Sequence, residues 1–230
     1  MKVTVNWMLR KQPHGLNSVV LDPVPVLKHY SENSSADIRR CPAYINFLKN
    51  TFVILSPCDL QIQINAQELW ANVLEPRFFP KDRLNLRFDQ HHESPYPMFS
   101  LIIPEMVFTA DQDVILELVD PFMEWERKNP VRVIGGQFNI HKWVRPIECA
   151  YEANRTVFTY SIRRGDPLHY VRFYTNDPND IIDLKRVEIT DEIEADILEN
   201  ASIKNFKDNS SLEFLYNLRN KYKSFLKRKK

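Results

Sequence analysis

Apolar and polar residues alternate along much of the chain, at the two-residue period of a pleated strand with one buried face. The stretch Lys2-Val-Thr-Val-Asn-Trp-Met8 alternates from its second residue and predicts a first strand. Thr51-Phe-Val-Ile-Leu55 is β-branched and aromatic and is stopped by Pro57. Leu60, Ile62 and Ile64 alternate with Gln61, Gln63 and Asn65, predicting a strand with one wet face. Further strands are expected at Leu84–Phe88, Met98–Ile103, Met106–Thr109, Val114–Val119, Val131–Ile134, Phe138–Trp143, Thr156–Ile162 and His169–Tyr174. Turn residues separate them: Pro80-Lys-Asp82, Asp111-Gln-Asp113, Gly135-Gly136 and Arg164-Gly-Asp-Pro167. The chain between 85 and 175 leaves no room for the helices that parallel strands need as crossovers. The expectation is a mainly β, α+β fold with an antiparallel, jelly-roll-like sandwich at its core.

The period lengthens in three places. Ile38, Cys41, Tyr44, Ile45 and Leu48 recur at three and four, predicting a helix over roughly 37–50 that Asn50 ends. Thr190-Asp-Glu caps a second helix whose inward face is read as Ile193, Ile197, Leu198 and Ala201. Ser210 and Glu213 form a capping box for a third, with Leu212, Leu215, Leu218, Tyr222, Phe225 and Leu226 on its apolar face. Residues 1–185 therefore read as a β-rich core, and 186–230 as a helical extension packed on that core or on a partner.

Composition narrows the functional classes. Only four glycines occur, at 15, 135, 136 and 165, so neither G-x-x-x-x-G-K-[ST] nor G-x-G-x-x-G can be drawn. With 31 Lys+Arg against 30 Asp+Glu, no whole-molecule field recruits nucleic acid. Cys41, Cys58 and Cys149 form no C-x-x-C pair and read as buried thiols held reduced in a cytoplasm. The start carries no apolar run of signal-peptide length, and no stretch approaches the ~20 apolar residues of a membrane span, so no membrane partner is expected. No G-x-S-x-G elbow is present. Trp7, Trp70, Trp125 and Trp143 could line a groove, but an aromatic core accounts for them.

Two patterns could carry chemistry. His91-His-Glu93 has the H-x-E spacing of a two-histidine, one-carboxylate facial triad. Residues two apart on a strand share a face, and His141 or His169 would complete the set around Fe(II). Arg155 or Arg172 would then hold the carboxylate of a 2-oxoglutarate cosubstrate. The competing reading makes Asp89–Pro95 a polar loop and the histidines ordinary hydrogen-bonding residues. The second pattern is the basic end of the last helix, where Arg219, Lys221, Lys223, Lys227 and Arg228 interleave with Tyr222 and Phe225. These could contact phosphate and bases, or a partner protein. The favoured reading is a solvated helix end whose cations oppose the helix dipole.

Several short signposts occur in a recognisable order: Cys41-Pro-Ala43, Asn50-Thr-Phe-Val-Ile-Leu-Ser-Pro57-Cys-Asp-Leu60, Gly135-Gly136, Trp143-Val-Arg-Pro-Ile147 and Arg163-Arg-Gly-Asp-Pro-Leu168. In these the chain resembles a family of tailed-bacteriophage proteins, particularly of phages of marine cyanobacteria, to which no activity is attached. The resemblance implies a phage gene product made in the bacterial host cytoplasm, with a place in the virion or its assembly. The reading is a non-enzymatic structural or interaction protein, without cofactor, that self-associates or binds other phage structural proteins. An oxygenase on a jelly-roll core and a nucleic-acid binder are the alternatives.

Overall fold

A computed structural model describes residues 1–10, 19–30, 40–68, 70–75, 84–85, 98–101, 105–124, 130–206 and 210–228. In chain order the strands are β1 (Lys2–Leu9), β2 (Val24–Pro25), β3 (Thr51–Leu55), β4 (Leu60–Asn65), β5 (Trp70–Glu75), β6 (Leu84–Asn85), β7 (Met98–Leu101) and β8 (Met106–Ala110). They continue as β9 (Ile115–Val119), β10 (Val131–Val133), β11 (Gly136–Asn139), β12 (Cys149–Ala153), β13 (Val157–Ile162), β14 (Pro167–Tyr174) and β15 (Ile181–Arg186). The helices are α1 (Val26–His29), α2 (Pro42–Leu48), α3 (Asp191–Phe206) and α4 (Leu212–Arg228).

The fold is mainly β with a minority of helix, as the alternation predicts, and among the described residues the strands pair antiparallel in every ladder but one. They sort into four sheets, ordered β15-β1-β8, β11-β9-β14-β3-β2, β10-β12-β7-β6 and β13-β4-β5. The first two sheets bury Val5, Trp7 and Phe108 from one side against Ile54, Leu116, Val171 and Phe173 from the other. The last two bury Phe99, Leu101 and Tyr151 against Ile62, Ile64, Phe158 and Tyr160. The sandwich is thus doubled, and the chain passes repeatedly between the two halves. In the second half Phe99 stacks on Tyr151 at 5.2 Å between centroids and meets Tyr160 edge-on at 5.8 Å. Such pairs add about 0.5–1.5 kcal/mol each beyond the area they bury.

The exceptional ladder is parallel, β1 on β15, with Val3 opposite Ile182 and Val5 opposite Leu184. Residues 175–180 carry the chain from β14 in one sheet to β15 in the facing one. Asn50 pins that crossing. Its backbone is left-handed (φ 56), which a short polar side chain tolerates better than a bulky one. Its Nδ2 donates to the Asp180 carbonyl at 3.0 Å, and its Oδ1 accepts the Ile182 N–H at 2.9 Å. Its own carbonyl accepts the Phe173 N–H at 3.0 Å, so one residue touches both sheets of the first half.

Helices cover both outer faces of that half. Val26 of α1 and Leu48 of α2 pack on Val53, Leu55 and Tyr170. On the opposite face Ile197 of α3 packs on Met8, Val107 and Val144. The order of layers is helix, sheet, sheet, helix.

Several local readings are corrected. The helix expected over 37–50 appears as Pro42–Leu48, with Ile38 outside the described residues. Two turns present only Tyr44 and Leu48 to the sheet, leaving Ile45 41% and Phe47 53% exposed. The strand expected through Trp143 stops at Asn139, because the Asn139 Oδ1 captures the N–H groups of His141 and Lys142 at 3.0 and 3.1 Å. On α3, Leu198 is 59% exposed while Asn200 is buried, since Ile193, Ile197 and Asn200 share the 3.6-residue stripe. The cap of α4 is Ser211, whose Oγ accepts the Phe214 N–H at 3.2 Å, and Leu212 points outward. Of the three thiols only Cys149 is buried; Cys58 is half-buried and Cys41 exposed.

Candidate functional site

The described chemistry concentrates where α3 meets the three-stranded sheet. Thr190 starts α3 by accepting the Ile193 N–H on its Oγ1 at 3.3 Å, with Asp191, Glu192 and Glu194 in the first turn. Ile193 and Ile197 seat the helix on Met8, Val107 and Val144. Past that contact α3 and residues 143–148 enclose a cleft of about 280 Å³, lined by Arg10, Glu105, Trp143, Arg145, Glu148 and Asn200 among others.

The charges at this cleft are held differently. Arg10 is bound to Glu194 of α3, with Nε 3.1 Å and Nη2 3.0 Å from Oε2, and its Nη1 lies 4.0 Å from the buried Glu105. Both nitrogens thus converge on one carboxylate oxygen, in a charge-assisted contact. Glu148 accepts the Ser100 hydroxyl at 2.7 Å. Arg145 donates its Nε to the Pro146 carbonyl at 3.3 Å and lies over the Phe138 ring at 5.5 Å from its centroid. No carboxylate among the described residues pairs with it within salt-bridge distance. Burial pushes its ionisation down, against weaker opposing effects of Glu148 and Tyr216. Asn200 is 1% exposed; its Nδ2 donates to the Val144 carbonyl at 2.8 Å, and its Oδ1 has no partner. The amide cannot be turned round without facing Oδ1 at that carbonyl, so the unsatisfied atom is an acceptor.

The last helix closes the same side. Asn139 donates its backbone N–H to the Tyr216 hydroxyl at 2.9 Å, and the Tyr216 ring meets Trp143 at 6.1 Å. Arg219 donates one Nη to the Lys142 carbonyl and the other to Asp196 of α3 at 2.7 Å.

The residues singled out in the sequence fall in separate places. His91 and Glu93 lie outside the described residues. His141 is exposed in the turn after β11, its Nδ1 2.9 Å from the Ala110 carbonyl. His169 is 3% exposed on β14, and neither of its ring nitrogens has a partner. Burial lowers its pKa to about 3, so it is neutral at any ordinary pH. Among the described residues no three His, Cys, Asp or Glu side chains gather as metal ligands would. Arg155 is exposed, while Arg172 is bound to Thr51 and lies over the adjoining rings of Phe47 and Phe122, 5.0 and 5.9 Å from their centroids. Of the basic helix end, Arg219 is 5% exposed and faces inward, and Lys221 is exposed. Tyr222, Lys223, Phe225, Lys227 and Arg228 lie on the backbone of α4, with side chains outside the described residues. The cleft residues Arg145 and Asn200 were missed. Asn200 sits at the seventh position after Ile193, and that spacing was the available signal.

No family model, no curated protein and no solved structure matches the chain. No helix among the described residues is long and apolar enough to cross a membrane.

Proposed function

We propose that this chain is a non-enzymatic structural or interaction protein that docks to copies of itself or to other structural proteins of a tailed-phage particle. The observation that carries the reading is the outer surface of α3 and α4. Leu198 of α3 is 59% exposed, and Leu212 and Phe214 project from different sides of α4 at 41% and 45% exposure, on helices clamped to the core by Arg219 and Tyr216. Large apolar side chains held at fixed positions on anchored helices lose little entropy on docking, which favours association. The basic run beyond Lys221 adds charge to the same helix and suits an acidic partner surface.

Light scattering behind size-exclusion chromatography tests the reading. Self-association that grows with concentration and is weakened by the pair Leu198→Ser and Phe214→Ser supports it. A strict monomer, together with absence of the chain from purified particles by mass spectrometry, overturns it. Affinity for DNA that falls steeply with salt and disappears on truncation after Asn217 would favour nucleic-acid binding instead.

A further inference from the structure

The outer face of the sheet β13-β4-β5 is neutral where other strand pairs carry charge. Its registers set two rungs across the three strands, Val157–Asn65–Trp70 and Thr159–Gln63–Asn72. The residues between the rungs, Phe158, Ile64 and Ala71, turn to the core, so the side chains of the rungs share the outer face. Trp70, Asn72, Val157 and Thr159 are exposed there. None of the rung residues carries a charge, whereas neighbouring strands elsewhere set ion pairs side by side, Arg132 against Glu152 and Arg172 against Glu117. The amides of Gln63 and Asn72 and the Thr159 hydroxyl make no hydrogen bond among the described residues. Trp70 is 37% exposed and its Nε1 donates to Glu68 at 2.7 Å, so the ring offers a ligand only carbon surface. The Asn65 Oδ1 is already taken by the N–H groups of Gln67 and Glu68, both at 3.1 Å. Beyond the second rung Glu75 stands opposite Gln61, and the neutral patch ends.

We propose that this face binds a neutral sugar, one ring lying on the Trp70 indole and the hydroxyls of the next on the Gln63 and Asn72 amides. A side-chain amide sets a donor beside an acceptor, and each sugar hydroxyl is both. The C–H side of a pyranose is apolar and suits an aromatic plane. Charge excludes other classes, because the two rungs hold no Lys or Arg for phosphate and no carboxylate for a metal ion or a basic peptide. Area argues against a protein partner. Strands about 4.8 Å apart and rungs about 6.7 Å apart give a patch on the order of 100 Å², against the ~800 Å² that each partner buries in a stable protein complex. That patch has room for about two sugar rings. Held on paired strands, its groups lose little freedom on binding. The face is separate from the proposed docking surface, since it lies in the second half of the sandwich and α3 packs on the first.

The full-length chain is screened by thermal shift with neutral di- and trisaccharides of glucose, galactose, mannose and N-acetylglucosamine at about 10 mM, followed by calorimetric titration of those that stabilise it. At least one is expected to bind saturably at a single site, with a Kd on the order of 1 mM or tighter. Trp70→Ala should weaken that binding roughly tenfold or more. Gln63→Ala and Asn72→Ala, truncations on the wet face, should each weaken it about threefold to tenfold with the unliganded melting temperature nearly unchanged, and they decide the matter if the tryptophan variant does not fold. The pair Leu198→Ser and Phe214→Ser should leave sugar binding as in wild type, which separates this site from self-association. The absence of any saturable neutral sugar overturns the assignment, as does binding untouched by all three truncations. Equal affinity for a uronic-acid disaccharide overturns it too. So does self-association lost in Trp70→Ala without sugar binding in wild type, which would make the face a protein interface.

Discussion

The guanidinium of Arg219 on α4 lies 2.7 Å from the carboxylate of Asp196 on α3, with the arginine side chain 6% exposed and the aspartate 29%. This pair, not an apolar seam, is the charged lock between the two terminal helices, and Arg219 also reaches the Lys142 carbonyl. Removing a buried cation's side chain leaves its partners unsatisfied, whereas the half-hydrated aspartate is less demanding. Arg219→Ala is expected to lower stability by about 2 kcal/mol and Asp196→Asn by about 1 kcal/mol. Urea unfolding followed by circular dichroism at 222 nm checks both, and equal costs would show that the arginine's second bond contributes nothing.

Asn50 combines a left-handed backbone with two side-chain bonds to the segment entering β15. The two contributions separate by substitution. Asn50→Ala loses the bonds and strains the backbone, at about 2–3 kcal/mol. Asn50→Gly relieves the strain but not the lost bonds, and should cost about 1 kcal/mol less. Chemical denaturation of the three proteins gives the order; glycine as damaging as alanine would mean that the bonds carry the whole effect.

His169 makes folding sensitive to acid. Its pKa is held at about 3 in the folded chain against 6.5 when exposed, so below pH 6.5 the unfolded state binds a proton that the folded state refuses. Its contribution is therefore level above pH 6.5, and stability falls by about 1.4 kcal/mol per pH unit from there towards pH 3. Carboxylates add their own dependence, so the measurement is a difference. The gap in unfolding free energy between wild type and His169→Leu should shift in favour of leucine by about 2–3 kcal/mol between pH 7 and pH 4.5. A gap that does not move with pH would mean that the ring is hydrated.

Tyr30 sits between two oxygens, donating to Glu124 at 2.5 Å and lying 2.6 Å from the Tyr170 hydroxyl. Burial first, and then these bonds, hold its proton far beyond the usual tyrosine range. Tyr30→Phe strands the Glu124 carboxylate and should cost about 1–2 kcal/mol, whereas Tyr30→Phe combined with Glu124→Leu should recover part of that loss. A double-mutant cycle measured by thermal unfolding gives the coupling, and additive costs would break the proposed link.

Much of the scaffold was legible in the residues. Alternation at Leu60–Asn65 and Val157–Ile162 appears as β4 and β13, paired across Ile62 and Tyr160. Thr190 caps α3 as its type and position imply. Trp70–Glu75, Cys149–Ala153 and Ile181–Arg186 were missed as strands; Cys149–Ala153 buries every second residue, but its outward Ala150 is as apolar as its inward Ala153, which hides the period. Leu198 was placed inward on hydrophobicity alone, when the angular position of Asn200 was the better guide.

The amino-acid order by itself determined the class of fold, the start of α3 at Thr190 and the exclusion of glycine-loop nucleotide chemistry, because these rest on periods and residue types within a few positions of one another. Which strands share a sheet, the doubling of the sandwich, the inward turn of Arg219 and the burial of Asn200 against the Val144 carbonyl were decided only by tertiary structure. Each depends on groups distant in sequence being desolvated together, and local pattern carries no record of that partner.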